Sequence, residues 1–271
     1  MTRISATSRP LVLIGNPVSH SLSPTMHNAA IAALGLDAVY VALRVEKSAL
    51  PHVLRALEAL GLAGNVTVPH KISVAGLLIR VTSLAKELGA VNTFWPEGGR
   101  LVGDNTDVRG LIDAVTPLDP EGPWLVSGTG GAARAVAVAA RELNVPLLVQ
   151  SREKDRAGDF AAWARNIGAE CRIDDGSRVG TVLNATPLGL RSTDGMPFAE
   201  QRLAGCKVAF DLVYAKGGTA WSRFCRERGM RAADGREMLV SQGVHAFHRF
   251  FPGETAPSEI MAAAVSRELS A

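Results

Sequence analysis

The sequence predicts an α/β protein in two lobes, and three observations predict it. Short apolar runs alternate with stretches of helical pattern along the whole chain, as in strand–helix–strand units built around a largely parallel sheet. The alternation falls into two series, parted by Pro117-Leu118-Asp119-Pro120-Glu121-Gly122-Pro123, which reads only as a loop. The length, 271 residues with 47% apolar, is a little under two average domains at roughly 150 residues each and enough to bury a full core.

In the first series, residues 11–15 read as a strand and 23–34 as a helix. Ser23 followed by Pro24 suits a helix start, with the serine as N-cap and the proline in the first turn. A strand at 38–45, a helix at 48–60, a strand at 64–68 and helical pattern over 71–88 follow, and strands at 91–95 and 100–103 close this half. The second series opens with a strand at 124–127, a helix at 132–143 and a strand at 146–150. A helix at 155–167 leads to strands near Cys171, at 181–184 and at 208–212. Residues 236–250 and 258–269 are helical in pattern. Two such series imply two lobes with a cleft between them.

The interior must be built from small side chains, because 40 Ala and 27 Gly stand against only 14 aromatic residues. Charge is nearly balanced, 29 basic against 26 acidic residues, and no basic run gives a nucleic-acid footprint. No apolar run approaches the ~20 residues of a membrane span, and residues 1–9 lack the apolar core of a signal peptide. Cys171, Cys206 and Cys225 are odd in number and widely spaced, which argues against a disulfide framework and a zinc cluster. The expectation is a cytoplasmic protein with buried free thiols, no metal, and neither a nucleic-acid nor a membrane partner. Lysine is scarce, 6 against 23 Arg, so each lysine is weighed singly.

The sharpest local signal is Gly128-Thr129-Gly130-Gly131-Ala132-Ala133. Gly128, Gly130 and Ala133 match G-x-G-x-x-A between a predicted strand and a predicted helix. Gly128 permits a tight turn, Gly130 lets backbone approach a pyrophosphate, and Ala133 lets helix and sheet pack closely. The helix N-terminus then presents free N–H groups to the phosphates. An NAD site wants Asp or Glu at the end of the next strand. Here that strand ends Gln150-Ser151-Arg152, with Lys154 and Arg156 beyond. Arginine there suits the 2′-phosphate of NADP through charge-assisted, forked hydrogen bonds. An exposed helix start in which Glu153 and Asp155 balance the basic residues is the plainer alternative.

Four polar clusters in the first half exceed what packing needs. They are Gly15-Asn-Pro17-Val-Ser19-His20-Ser21-Leu-Ser23-Pro24-Thr-Met-His27-Asn28, Asn65-Val-Thr67-Val-Pro69-His70-Lys71, Ala90-Val-Asn92-Thr93, and Asp104-Asn105-Thr106-Asp107-Val-Arg-Gly110. The last also suits an Asx turn capping a helix at Thr106 or Asp107. His20 and His27 read best as residues that hydrogen-bond loop backbone and hold Ser21 in place. Arg134 reads as a helix-surface charge.

Taken in this order, ahead of the glycine loop, the clusters resemble the shikimate dehydrogenase family. The resemblance continues in Asn184-Ala-Thr186-Pro-Leu-Gly189, Asp211-Leu-Val213-Tyr214 and Met238-Leu-Val-Ser-Gln242-Gly, and so covers nearly the whole chain. It implies a substrate lobe at 1–107 plus 237–271 and a Rossmann dinucleotide lobe at 108–236, with the C-terminal helices returning to the first lobe.

The activity it implies is reversible reduction of 3-dehydroshikimate to shikimate by hydride transfer from NADPH, a step toward aromatic amino acids. Lys71 would be the general acid/base, paired with Asp107. Ser21 and Ser23, helped by Tyr214, would take the substrate carboxylate, while Thr67, Asn92, Asp107 and Gln242 would read the ring oxygens. Gly128, Thr129, Gly130, Gly131 and Ala132 would hold the pyrophosphate. Ser151, Arg152 and Arg156 would hold the 2′-phosphate, and Asn184, Thr186 and the Val213 backbone the ribose and nicotinamide.

Three positions depart from the family pattern. Ser151-Arg152-Glu153 stands where many relatives carry Asn-Arg-Thr, and Thr129 replaces a common alanine. Glu237 stands near the implied nicotinamide where some relatives carry glycine, and nothing in the sequence explains it. The resemblance leaves room for a quinate/shikimate dehydrogenase using NAD or NADP. A non-catalytic dinucleotide sensor would need the glycine loop but not Lys71, Asp107 or the serine pair. A monomer or a homodimer fits either way.

Overall fold

The protein is described by a computed structural model that covers residues 4–191 and 193–270. Its contacts divide the chain into two units. The first is Met1–Thr106 with Val240–Glu268, and the second is Asp107–Leu239 with Leu269–Ala271.

The first unit contains six strands: β1 (Arg9–Gly15), β2 (Ala38–Arg44), β3 (Ala63–Val66), β4 (Arg80–Val81), β5 (Thr93–Glu97) and β6 (Arg100–Asp104). They lie in the order β2-β1-β3-β5-β6-β4. β1 is parallel to β2 and β3, and β4 is parallel to β6, but β5 runs antiparallel to both its neighbours. Helices α1 (Ser23–Ala33), α2 (Leu50–Ala59), α3 (Lys71–Leu77) and α4 (Ser83–Leu88) connect them. Leu50, Leu54 and Leu57 form the buried stripe of α2 at helical spacing, and they pack with Val12, Ile14, Val66, Val74 and Phe94.

The second unit opens with α5 (Asp107–Val115). Its strands are β7 (Trp124–Ser127), β8 (Leu147–Gln150), β9 (Cys171–Ile173), β10 (Thr181–Asn184), β11 (Val208–Asp211) and β12 (Arg231–Ala233). All are parallel, in the order β12-β11-β10-β7-β8-β9. Chain order reverses direction at β7, so β7 and β10 flank the switch point, where open parallel sheets bind ligands. α6 (Gly131–Glu142) follows β7 and buries Ala133, Ala135, Ala137, Ala139 and Ala140 with Val136 and Val138. Small side chains let this helix lie close on its neighbours, and six of the 40 alanines are used here. α7 (Lys154–Asn166) and α8 (Ala220–Glu227) complete the unit.

α9 (Arg236–Phe250) passes from the second unit into the first, where α10 (Ser258–Ser270) mostly lies. α9 packs closely on α1: a Cβ at Gly243 would overlap the thioether of Met26.

The structure corrects two sequence expectations and fills one stretch left unassigned. Residues 71–88 are two short helices with a strand between them. Leu78 turns extended after α3, Arg80–Val81 pair with Val102–Gly103, and Thr82 caps α4 by accepting from the Ala85 N–H at 3.2 Å. The branched Ile79, Val81 and Thr82 favour extended backbone there, and edge pairing outweighs the helical pattern. Ser23 is the first residue of α1 rather than its cap: the N-cap is Leu22, without a side-chain bond, and Ser21 Oγ accepts from the Ser23 N–H at 3.3 Å. Residues 213–235, unassigned from sequence, hold α8 and β12. Among the described residues, no helix is long and apolar enough to cross a membrane.

Candidate active site

In the first unit the candidate residues gather at the carboxyl ends of β1 and β3. Gly15 ends β1 and touches the next loop so closely that a Cβ would overlap the Thr67 methyl. The Asn16 N–H donates to Val68 O at 3.0 Å and the Thr67 N–H to Ile14 O at 2.9 Å, so the two motif loops are stitched together. Ser21 and Ser23 lie at the start of α1 with their hydroxyls 3.2 Å apart. Lys71, half-buried, is the first residue of α3. The preceding His70 is buried, and its Nε2 donates to Val45 O at 2.7 Å.

Behind these loops runs a buried polar network. Tyr40 donates its hydroxyl to Asn65 Oδ1 at 2.8 Å, and Asn65 Nδ2 donates to Asn92 O and Thr93 Oγ1. Thr93 Oγ1 and the Thr106 N–H both donate to Asn92 Oδ1 at 2.8 Å, and Asn92 Nδ2 donates to Thr106 Oγ1 at 3.0 Å. The Asn92 side chain is therefore held on both its oxygen and its nitrogen. Asn28 clamps Tyr40 of β2 through the Tyr40 N–H and C=O. Gln242 is half-buried on α9.

His27 overturns its sequence reading. It bonds no loop backbone: its ring is fully buried, neither nitrogen has a hydrogen-bond partner, and it stacks on Tyr40 at 4.5 Å between ring centroids. Phe247 and Phe250 of α9 complete the aromatic cluster. Burial without a partner drives the imidazole pKa down to about 3, so His27 is a neutral core residue. His20 is exposed.

In the second unit the glycine loop follows β7. Gly128 has φ +114, a conformation glycine adopts freely, and a Cβ there would come within 2.9 Å of Ala185 O. Its N–H donates to Gln150 O at 3.0 Å, fixing the loop to the end of β8. Gly130 is the N-cap of α6, has no side chain to cap it, and meets nothing within 4 Å of its Cβ position. Thr129, Gly131 and Ala132 are half-buried around it. An uncapped helix start behind an open glycine fits a pyrophosphate. Beyond β8, Ser151 Oγ accepts from the Glu153 N–H at 3.4 Å, and Arg152 and Arg156 are exposed.

At the ends of β10 and β11 the structure shows a residue whose role sequence reasoning missed. Asp211 is fully buried. Its Oδ1 accepts from Asn184 Nδ2 at 2.8 Å and the Val213 N–H at 3.0 Å, and its Oδ2 accepts from Thr219 Oγ1 at 2.7 Å. Burial lifts its carboxyl to about 6 against the pull of those donors. Asn184 Oδ1 in turn accepts from the N–H and hydroxyl of Thr186, and Val213 O accepts from the Gly235 N–H. Asp211 thus ties together three of the residues assigned to the ribose and nicotinamide side. Its place beside Tyr214 in a quoted motif was the only signal. Tyr214 is half-buried, Asp107 is the buried first residue of α5, and Glu237 is exposed in the first turn of α9.

A six-stranded parallel sheet of this order, with an open glycine turn at its central strand, defines a Rossmann dinucleotide-binding unit. Residues 13–94 match the shikimate dehydrogenase substrate binding domain. The chain is 41% identical over 258 residues to a shikimate dehydrogenase (NADP(+)) of Rubrobacter xylanophilus, covering 90% of this chain and 91% of that one. A shikimate dehydrogenase crystallised in complex with NADP+ matches with a TM-score of 0.90 and 30% identity, covering 100% and 99% of the two chains. The shikimate 5-dehydrogenase of Thermus thermophilus, in complex with NADP(H) and shikimate, matches with a TM-score of 0.84 and 32% identity over 96% and 99%. The chain belongs to the shikimate dehydrogenase family.

Proposed function

We propose that the chain is an NADP-dependent shikimate dehydrogenase, catalysing reversible reduction of 3-dehydroshikimate to shikimate. The observation that carries this reading is the open phosphate cradle at Gly130, in a chain that matches relatives of that name along almost its whole length. When bound, the nicotinamide supplies or accepts the hydride.

The protein's own residues manage the proton and the substrate. Lys71 donates a proton to the ketone oxygen as negative charge develops there, and takes it back in the reverse direction. Asp107 is its partner in that proton transfer. Ser21, Ser23 and Tyr214 receive the carboxylate, and Thr67, Asn92, Asp107 and Gln242 receive the ring hydroxyls. Short amides and hydroxyls suit a small polyhydroxylated acid, and the network around Asn92 supports this by holding its amide in one orientation before substrate arrives. Gly128, Thr129, Gly130, Gly131 and Ala132 cradle the pyrophosphate, Ser151, Arg152 and Arg156 the 2′-phosphate, and Asn184, Thr186 and Val213 the ribose and nicotinamide side. We find no task for Glu237.

A cytoplasmic enzyme, monomeric or homodimeric, completes the proposal. Crossing shikimate and quinate with NADP+ and NAD+ in a spectrophotometric assay tests it, because specificity is a ratio of kcat/KM values. The expected result is the highest kcat/KM for shikimate with NADP+. Efficient quinate oxidation with NAD+ would shift the reading to a quinate/shikimate dehydrogenase, and dinucleotide binding with no turnover would leave only a sensor.

A further inference from the structure

Beside the glycine loop lies a recess of about 190 Å³ lined by Thr129, Arg134, Arg156, Asp159, Phe160 and Trp163. Every one of these residues lies in the second unit. Arg134, in the first turn of α6, lays its guanidinium over the Trp163 ring at 4.7 Å from the centroid. That stacking holds a half-buried cation on the side of the recess facing α7, and burial lowers its pKa. Arg134 is thus more than the surface charge its sequence position indicated.

The other cation, Arg156, stands in the first turn of α7 and is approached by Glu153, Oε1 to guanidinium nitrogen 3.4 Å. Both side chains are about two-thirds exposed, so the pair is weak in itself. What matters is where the carboxylate stands. The ribose 2′ position of a bound dinucleotide falls at the end of the strand after the glycine loop, here at Ser151 and Arg152 next to Glu153. The charged groups around this point are Arg134, Arg152, Lys154 and Arg156 on one side, and Glu153, Asp155 and Asp159 on the other.

Resting on the cofactor reading above, we propose that Arg134 and Glu153 set the NADP-over-NAD preference of this enzyme with opposite signs. Arg134, braced on Trp163, adds a cation toward the 2′-phosphate from the glycine-loop side. Glu153 opposes the same phosphate and occupies Arg156. The preference for NADP is therefore narrower than Arg152 and Arg156 alone would give.

Isothermal titration of NADP+ and NAD+ into the substrate-free protein tests this without reference to turnover. Glu153→Gln removes the charge at an exposed position and is expected to tighten NADP+ about 3- to 10-fold, as a carboxylate–phosphate repulsion near the surface allows. Arg134→Gln is expected to weaken NADP+ about 10-fold by loss of a charge-assisted contact, and Arg134→Lys to restore part of that. NAD+ affinity should stay unchanged in all three variants, which also reports that the loop is intact. An unchanged ratio of NADP+ to NAD+ affinity in either Glu153→Gln or Arg134→Gln overturns the proposal, as does an equal change for both dinucleotides. Failure of the unsubstituted protein to bind either dinucleotide would instead overturn the cofactor reading on which the proposal rests.

Discussion

The two units prepare for their ligands in opposite ways. In the first, the candidate substrate residues are backed by side chains that already hydrogen-bond one another: Tyr40, Asn65, Thr93, Asn92 and Thr106 form one buried chain of donors and acceptors. In the second, the glycine loop offers backbone and open space, with no side chain at the N-cap of α6. A small ligand whose hydroxyls must be distinguished calls for fixed side-chain dipoles. A pyrophosphate needs only N–H groups and close approach, which glycine supplies. On the proposed reading, substrate specificity is stored in a packed network and dinucleotide affinity in a gap.

The largest expected break falls on the chemistry. Lys71→Ala should lower kcat by about 10²–10⁴, the usual worth of general acid–base catalysis, while calorimetric NADP+ affinity stays within error. Normal turnover in that variant would remove Lys71 from its role.

Acid should then separate the units by sign, because each buries a titratable group. His27 has its folded pKa depressed from 6.5 to about 3. Its contribution is fully present above about 6.5 and is lost as pH falls toward 3, roughly 3 kcal/mol by pH 4.5 at 1.36 kcal/mol per pKa unit. Asp211 has its folded pKa raised from 3.8 to about 6. Protonation therefore favours the folded state, and stability from this group rises as pH falls through 6 toward 4, by up to about 3 kcal/mol. Hydrogen exchange read by mass spectrometry at pH 7 and 4.5, corrected for intrinsic rates, resolves the two units. His27→Phe should remove part of the acid loss in the first, and Asp211→Asn the acid gain in the second. Identical pH responses of parent and variants would refute both assignments.

Asn65→Ala sharpens the comparison at the network. It leaves buried partners unsatisfied and should cost about 1–3 kcal/mol in chemical denaturation. Through Asn92 it should raise the KM for shikimate more than it lowers kcat, with NADP+ affinity unchanged. The smallest effect on stability is expected at Gly130→Val: the site is open, so Tm should move little, while both dinucleotides bind more weakly. A Gly130→Val variant that binds them normally would show that the gap is not used.

How much of this was legible in the sequence follows the same division. The glycine loop was legible because its constraint is local, six residues between a strand and a helix, and the structure shows Gly128 at positive φ and Gly130 open. The buried network was not, because Tyr40 of β2, Asn65 of β3, Asn92 before β5 and Thr106 before α5 are far apart in the chain and only the folded sheet brings them together. His27 misled for a related reason: its motif begins in a loop, but His27 itself lies in α1 and its ring faces Phe247 and Phe250 of α9, which sequence periodicity does not connect to it. The break in residues 71–88 came from pairing with Val102–Gly103, again nonlocal. Asp211 stood in a quoted motif, yet its task appears only once Asn184, Val213 and Thr219 converge on its two oxygens.

The most direct test of the account is the reduced-nicotinamide absorbance of the purified protein given shikimate and NADP+, beside its Lys71→Ala variant. The account predicts a shikimate-dependent rise in the parent, and in the variant a rise slowed about 10²–10⁴-fold with NADP+ still bound. No shikimate-dependent change in a parent protein that binds NADP+ would contradict it.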